Sequence, residues 1–360
     1  MKSMKTSSLF RLAALLIIAV IVICMVGFAA DRNDGKDTRP EDNSGEVVDG
    51  INPPPEDNNT AKPPEYTHYL TGLEITADAQ KTKPLCFVLD SSSPLYGISG
   101  SPLTVEIPIE NGTSRFLLYQ DDPKNLGKIG SITSSRECIT RLVDFFGGIA
   151  VYKGNDGLRQ TDAKESGRFT FDLAATSGYA YTENTSFLYS NGDLLLAGLQ
   201  NAGVSTAATA QTSPFSFAPY FSDPISHATS AQTVLIPYAA NNETGLYYDT
   251  ATGMYLLGKG GQVKSDLLNG KNAAYTNAFV LFANATTYES ESYTVMTPDT
   301  IGGGKGYYFT QGTALPIEWS TDATGNLLLK NESGTALTVN RGASYIAFYK
   351  ASQAASVIFS

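Results

Sequence analysis

The chain has 360 residues, a formal net charge of −10, 42% apolar and 17% charged residues, with twenty tyrosines, seventeen phenylalanines and thirty-three glycines. The apolar fraction suffices for a sizeable core, which excludes a wholly disordered chain, and the sequence carries no basic stripe for nucleic acid. Many aromatics and glycines beside few charges point to an α+β, strand-rich fold: mixed and antiparallel sheets with about two helices in the N-terminal half, and a mainly antiparallel C-terminal half.

Residues 1–30 read as a membrane anchor or signal segment. Lys2, Lys5 and Arg11 precede Leu12–Ala30, nineteen residues without a charge, which is long enough to cross a bilayer. The basic flank lies before the run and the acidic DRND after it, so the expected localisation is the cell membrane, with a single N-terminal span and the bulk of the chain outside. An uncleaved anchor is the preferred reading. Cleavage near Gly27 and Ala29, or lipidation at Cys24, are the alternatives. Residues 31–67 hold ten acidic residues, four basic ones and six prolines, the composition of a disordered tether. If flexible, such a tether has a root-mean-square reach of roughly 35 Å.

Residues 68–204 are expected to form an N-terminal α+β domain. PLCFVLD (84–90) reads as a strand buried on both faces and ending in Asp90. In TVEIPIENGTSRFLLYQ (104–120) two alternating strands flank Asn111-Gly112, which predicts a two-residue hairpin turn. That register pairs Glu106 with Leu117 and Pro108 with Arg115, and it gathers Glu106, Glu110 and Arg115 on one face. SSRECITRLVDFFGG (134–148) predicts a helix: Ser134 and Glu137 have capping-box spacing, Ile139, Leu142, Val143 and Phe146 recur at helical period, and two glycines end it. Strands at IAVYK (149–153) and RFTFDL (168–173) and a helix at GDLLLAGLQNAG (192–203) follow. Residues 205–230 read as a polar connector.

From residue 231 to 355 short strands and turns alternate, from TVLIPY and GLYYD through AFVLFA, GYYFTQG and PIEW to SYIAFYK, the pattern of an antiparallel β-rich domain. Gly302-Gly303-Gly304-Lys305 lacks the spacing and following helix of a phosphate loop and is expected to be a loop between strands. Cys86 and Cys138 are either one disulfide or two buried thiols. The two histidines, His68 and His227, have no zinc-type spacing, and neither a metal nor another cofactor is expected.

From YLTGLEI (69–75) to about Ala351 the chain resembles the YerB-like bacterial lipoproteins, a family defined mainly as a domain of unknown function. PLYGISGSPLTVEIPIENGTSRF (94–116) runs without a gap beside the family pattern P-x-S-G-L-S-x-A-D-I-V-Y-E-x-P-V-E-G-G-I-T-R-F, keeping Glu106, Glu110, Gly112, Arg115 and Phe116. IGSITSSR (129–136) is similar to I-G-P-V-R-S-A-R but keeps only the second arginine, Arg136, with Thr133 at the first. In the second half YYDTATGMYLLGKGGQVKSD (247–266), NAFVLF (277–282) and GYYFTQG with Trp319 are similar to the family's tyrosine-aspartate hairpin, its N-V-V-V strand and its final sheet. The resemblance implies a fold and a cell-surface setting, but no reaction.

Six residues are candidates for binding: Asp90, Glu106, Glu110, Arg115, Ser134 and Arg136. The three hairpin charges read either as a cross-strand ion cluster or as an acid/base pair. Four residues of strand separate the glutamates by about 13 Å, which disfavours a retaining glycosidase. At GSITSSRE (130–137) hydroxyls, Arg136 and free N–H groups suit either an ordinary cap or an anion. Tyr247, Tyr248, Tyr255, Tyr307, Tyr308 and Trp319 read as packing residues before sugar-stacking ones. The expected function is a membrane-anchored extracytoplasmic module that binds a cell-wall glycan or other wall component, or a cell-wall enzyme, without catalysis. The alternative is an envelope hydrolase using Asp90, Glu106, Arg115 and Arg136 around one cleft.

Overall fold

A computed structural model describes residues 65–154, 170–183, 186–208, 211–218, 228–289, 294–322 and 326–360. The apolar run 12–30, the tether up to residue 64 and His227 lie outside the described residues. Among the described residues no helix is long and apolar enough to cross a membrane.

The first segment comprises β1 (Leu85–Asp90), β2 (Leu103–Pro108), β3 (Ser114–Gln120), β4 (Ile129–Ile132), α1 (Glu137–Phe146), β5 (Ile149–Tyr152), β6 (Thr170–Asp172), β7 (Leu188–Ser190) and α2 (Gly192–Asn201). Two-residue strands β8 (Ser216–Phe217) and β9 (Thr229–Ser230) lead to β10 (Thr233–Ala239), β11 (Asn242–Asp249), β12 (Met254–Lys259), β13 (Gln262–Val263) and β14 (Ala274–Tyr275). Then come β15 (Asn277–Ala283), β16 (Ala285–Glu289), β17 (Thr294–Pro298), β18 (Gly303–Thr310), β19 (Thr313–Thr321), β20 (Leu327–Asn331), β21 (Thr338–Val339), β22 (Ser344–Lys350) and β23 (Ile358–Phe359). The α+β, mostly β expectation holds.

One large sheet organises these elements, in the order β20-β19-β18-β15-β22-β2-β3-β1-β4-β7, with β5 beside β1, β6 beside β5 and β9 on β19. Strand β22 runs parallel to both its neighbours, β15 and β2, so strands from either end of the sequence meet at the centre. Such strands must be apolar on both faces, and β15 (NAFVLFA) is buried along its whole length. One face carries Phe87, Phe116, Leu118, Val280 and Phe309, packed with α2 and with a six-stranded sheet ordered β13-β12-β11-β10-β23 plus β14. The other carries Val88, Val105, Leu117, Phe279 and Ile346, covered by Ile139, Leu142, Val143 and Phe146 of α1 together with Leu70, Phe215 and Val339.

Three local expectations are corrected. Glu110–Gly112 form a 3-10 turn rather than the centre of a two-residue turn, and Pro108 pairs with Ser114, Ile107 with Arg115 and Glu106 with Phe116. The register is one residue away from the expected one, and since neighbouring residues point to opposite faces, Glu106 and Arg115 are on opposite sides of the sheet. At α1 the N-cap is Arg136 rather than Ser134, its side chain making no cap. By contrast Asn191 caps α2, its side-chain oxygen accepting from the Leu194 N–H at 3.0 Å. Third, Gly303 and Gly304 begin β18 instead of forming a loop. The Trp319 indole on β19 lies under Gly304 and donates to the Phe282 carbonyl at 3.1 Å. A Cβ on Gly304 would stand 2.2 Å from that oxygen, so only glycine admits the crossing.

Candidate functional site

Five of the six candidate residues gather where β1, β3 and the entrance of α1 meet. Arg115 faces Asp90 across β1 and β3 and shares the face of Ile107 and Leu117, toward α1. Its Nη1 donates to the Ser134 carbonyl, and to the Ser134 hydroxyl at 3.0 Å. Arg136 reaches the same hydroxyl at 3.5 Å, donates to the Ser135 carbonyl at 3.2 Å and pairs through Nη2 with Glu110 Oε1. The Arg136 side chain is 4% exposed and that of Glu110 13%. Ser134 and Asp90, partly exposed, form the rim, and Asp90 Oδ1 accepts from the Ser92 N–H at 2.8 Å.

Burial pushes the Arg115 guanidinium down to about 10, and the like charge of Arg136 adds to this against Glu110, Asp90 and Cys138. It is still protonated at neutral pH. Burial pushes Glu110 up, but the hydrogen bond from Arg136, a backbone hydrogen bond and the charges of Arg136 and Arg115 prevail and hold it below its ordinary value. Two guanidinium groups thus converge on one seryl residue, with two carboxylates balancing them. That arrangement can recognise a planar anion by exchanging a carboxylate partner for a ligand. Nearby Cys138 is buried and pushed up to about 12 by desolvation, which makes it an inert thiol. Cys86 is also a free, buried thiol, raised further still by burial, so the two are not bonded to each other.

Glu106, the sixth candidate, lies on the opposite face and is 0% exposed. Lys259 of β12 meets its Oε1 at 2.7 Å, and Ser114 donates to the same oxygen. Thr244 of β11 donates to Oε2 at 2.7 Å, and the Tyr345 hydroxyl also donates there. Lys259 bonds in addition to Thr244 Oγ1 at 2.9 Å and stands 5.7 and 5.4 Å from the rings of Phe116 and Tyr238. Burial first, then the charge of Glu106, raises Tyr345 well above its ordinary value, so it remains a donor. Lys259 is not visible as a partner in the sequence, being 153 residues away at the end of β12, beside the Gly260-Gly261 turn. The only available signal was a glutamate in a strand whose neighbours are all apolar.

Elsewhere His68 Nε2 stands 3.2 Å from Asp121 and its Nδ1 accepts from the Leu70 N–H, which places it in the local fold of the domain's start. Tyr255, Tyr308 and Trp319 are buried packing residues, while Tyr247, Tyr248 and Tyr307 are half-buried.

The family model described as protein of unknown function (DUF3048), N-terminal domain, matches residues 70–205, and the corresponding C-terminal domain model matches residues 234–346. No curated protein matches the chain. Among solved structures it is similar to the YerB protein from Bacillus subtilis, with a TM-score of 0.71 and 19% identity over 82% of this chain and 100% of that one. That likeness speaks for the fold. With both of the family's domains matched in order, the chain belongs to the DUF3048 family of proteins of unknown function.

Proposed function

We propose that this protein is a membrane-anchored extracytoplasmic module that binds, without catalysis, an anionic group of the cell wall at the Arg115–Ser134–Arg136 cluster. The observation that carries the reading is the separation of the carboxylates. A hydrolase built on Asp90, Glu106, Arg115 and Arg136 needs them around one cleft, whereas Glu106 is enclosed on the far face with Lys259, Thr244 and Tyr345. What remains is a pair of buried arginines behind a partly exposed Ser134–Asp90 rim, which a carboxylate or phosphate would reach by displacing a carboxylate partner, a recognition device rather than an acid/base pair. The uncharged run 12–30 with its basic flank, followed by the acidic, proline-rich stretch, supports an anchor and a spacer holding the module off the bilayer.

The test is co-sedimentation of the full chain, in detergent, with purified bacterial wall sacculi, before and after removal of their attached anionic polymers. Saturable sedimentation that weakens at least about tenfold in Arg115→Lys, a change that keeps the charge but loses the guanidinium fork, supports the reading. Failure to sediment with either preparation overturns it in favour of a protein partner such as a wall enzyme.

A further inference from the structure

On the large sheet's face shared with the six-stranded sheet, Phe359 of β23 packs edge-on against Tyr307 and Phe309, with ring centroids 5.0 and 5.5 Å apart. Beyond that point β18, β19 and β20 leave the same face open among the described residues. A cavity of about 620 Å³ lies there, with Asn284, Lys305, Tyr307, Glu318 and Glu332 in its lining. It adjoins a second of about 350 Å³ that reaches Lys330, the two sharing Gly304, Lys305 and Glu318. Together they make a trough crossing four strands, roughly 14 Å in all, and the larger part alone has the size of a small-ligand site.

We propose that this trough binds a short neutral oligosaccharide. Its floor is the backbone of Gly303, Gly304 and Gly306, where no side chain stands in the way. Its charges are two lysines and two glutamates, which cancel and select against a strongly charged ligand. Lys305 faces Glu318 across β18 and β19, and Glu318 faces Lys330 across β19 and β20. Yet among the described residues these three form no ion pair within 4.0 Å. Donors and acceptors therefore alternate along the trough and are available to hydroxyl groups, which both donate and accept. Tyr307, half-buried and held by edge contacts with Phe282 and Phe359, supplies an aromatic wall for the apolar face of a sugar ring. Asn284 adds an amide at one end.

The choice of a wall-type glycan as probe rests on the extracytoplasmic reading above, while the site itself is independent of the arginine cluster. Trp319, the chain's one tryptophan, lies beneath the glycine floor and reports on the trough. The experiment titrates the full chain, in a non-glycosidic detergent, with chitotetraose and follows tryptophan emission. The expected result is a saturable change, at least about tenfold weaker in the exposed Lys305→Ala/Glu318→Ala double variant with unchanged melting, and unaltered in Arg115→Lys. No saturation up to about 10 mM, equal affinity in the double variant, or tighter binding of tetra-alanine than of the sugar overturns the site. Sugar binding that persists while sacculi fail to sediment the protein overturns the wall reading alone, and the converse overturns this site alone.

Discussion

Replacing Lys259 by methionine removes one half of a buried ion pair while nearly preserving volume. Glu106 would retain the hydroxyls of Ser114, Thr244 and Tyr345 but lose the one cation paired with it among the described residues, at a position with no exposure. Leaving a buried charge uncompensated costs about 3–5 kcal/mol. The roughly 290 residues from His68 onward unfold with an entropy near 2.1 cal/mol/K each, so that loss lowers the melting temperature by about 5–8 °C. The double variant Lys259→Met/Glu106→Gln removes both charges and leaves a neutral acceptor for the same hydroxyls, so it should recover a substantial part of the loss. Differential scanning calorimetry on wild type, both single variants and the double variant gives the full cycle. A loss under about 1 kcal/mol for Lys259→Met, the value of an exposed pair, would show that water reaches Glu106 and would refute the enclosed site. Additive losses in the double variant would refute the pairing itself.

Chains beginning at Asp31 and at Tyr66 should melt at the same temperature, since a stretch of that composition buries almost nothing; a drop of several degrees in the shorter chain would show packing of the tether. Glu110 is held below its ordinary value in the folded state, so its contribution is present above the unfolded value of 4.5 and is lost as pH falls through the lower folded value. Wild type should therefore lose its stability advantage over Glu110→Gln on acidification below about pH 4.5, and chemical denaturation at pH 7 and pH 3 measures it. Cys86 and Cys138 should resist a thiol-specific reagent at pH 8 until the protein is unfolded, because burial raises both; rapid labelling of the native protein would contradict the burial.

Much of the fold was legible because its strands carry their burial in their composition. PLCFVLD and NAFVLFA lack any polar alternation and lie in the sheet's interior, and the helical period of Ile139, Leu142, Val143 and Phe146 marks the face of α1 that covers it. What short-range pattern could not convey is strand order. Parallel pairing of β22 with both β15 and β2 joins residues 344–350 to 103–106 and 277–283, and the hydrophobic runs are equally compatible with other neighbours. Gly303-Gly304 read as a loop because glycine in a strand usually marks an interruption. There it marks a close approach instead, by an indole that arrives from the next strand.

The site shows the same division between local and distant causes. Asp90, Glu110, Arg115, Ser134 and Arg136 all lie within one short stretch of the chain, and the structure brings them together as a group. Glu106 left that group through a shift of a single residue in the hairpin, and the cause lies in the second half of the chain. The tip docks so closely on β10 that a Cβ on Gly112 would stand 2.5 Å from that of Ala239, and the Gly112 carbonyl accepts from Asn242 at 2.8 Å. Those contacts favour the three-residue turn over the two-residue turn that Asn-Gly prefers in isolation. The same shift that takes Glu106 away from Arg115 turns it toward β11 and β12, where Lys259 and Thr244 meet it. The register of the hairpin and the burial of its glutamate are thus one event, which the later strands must be present to complete.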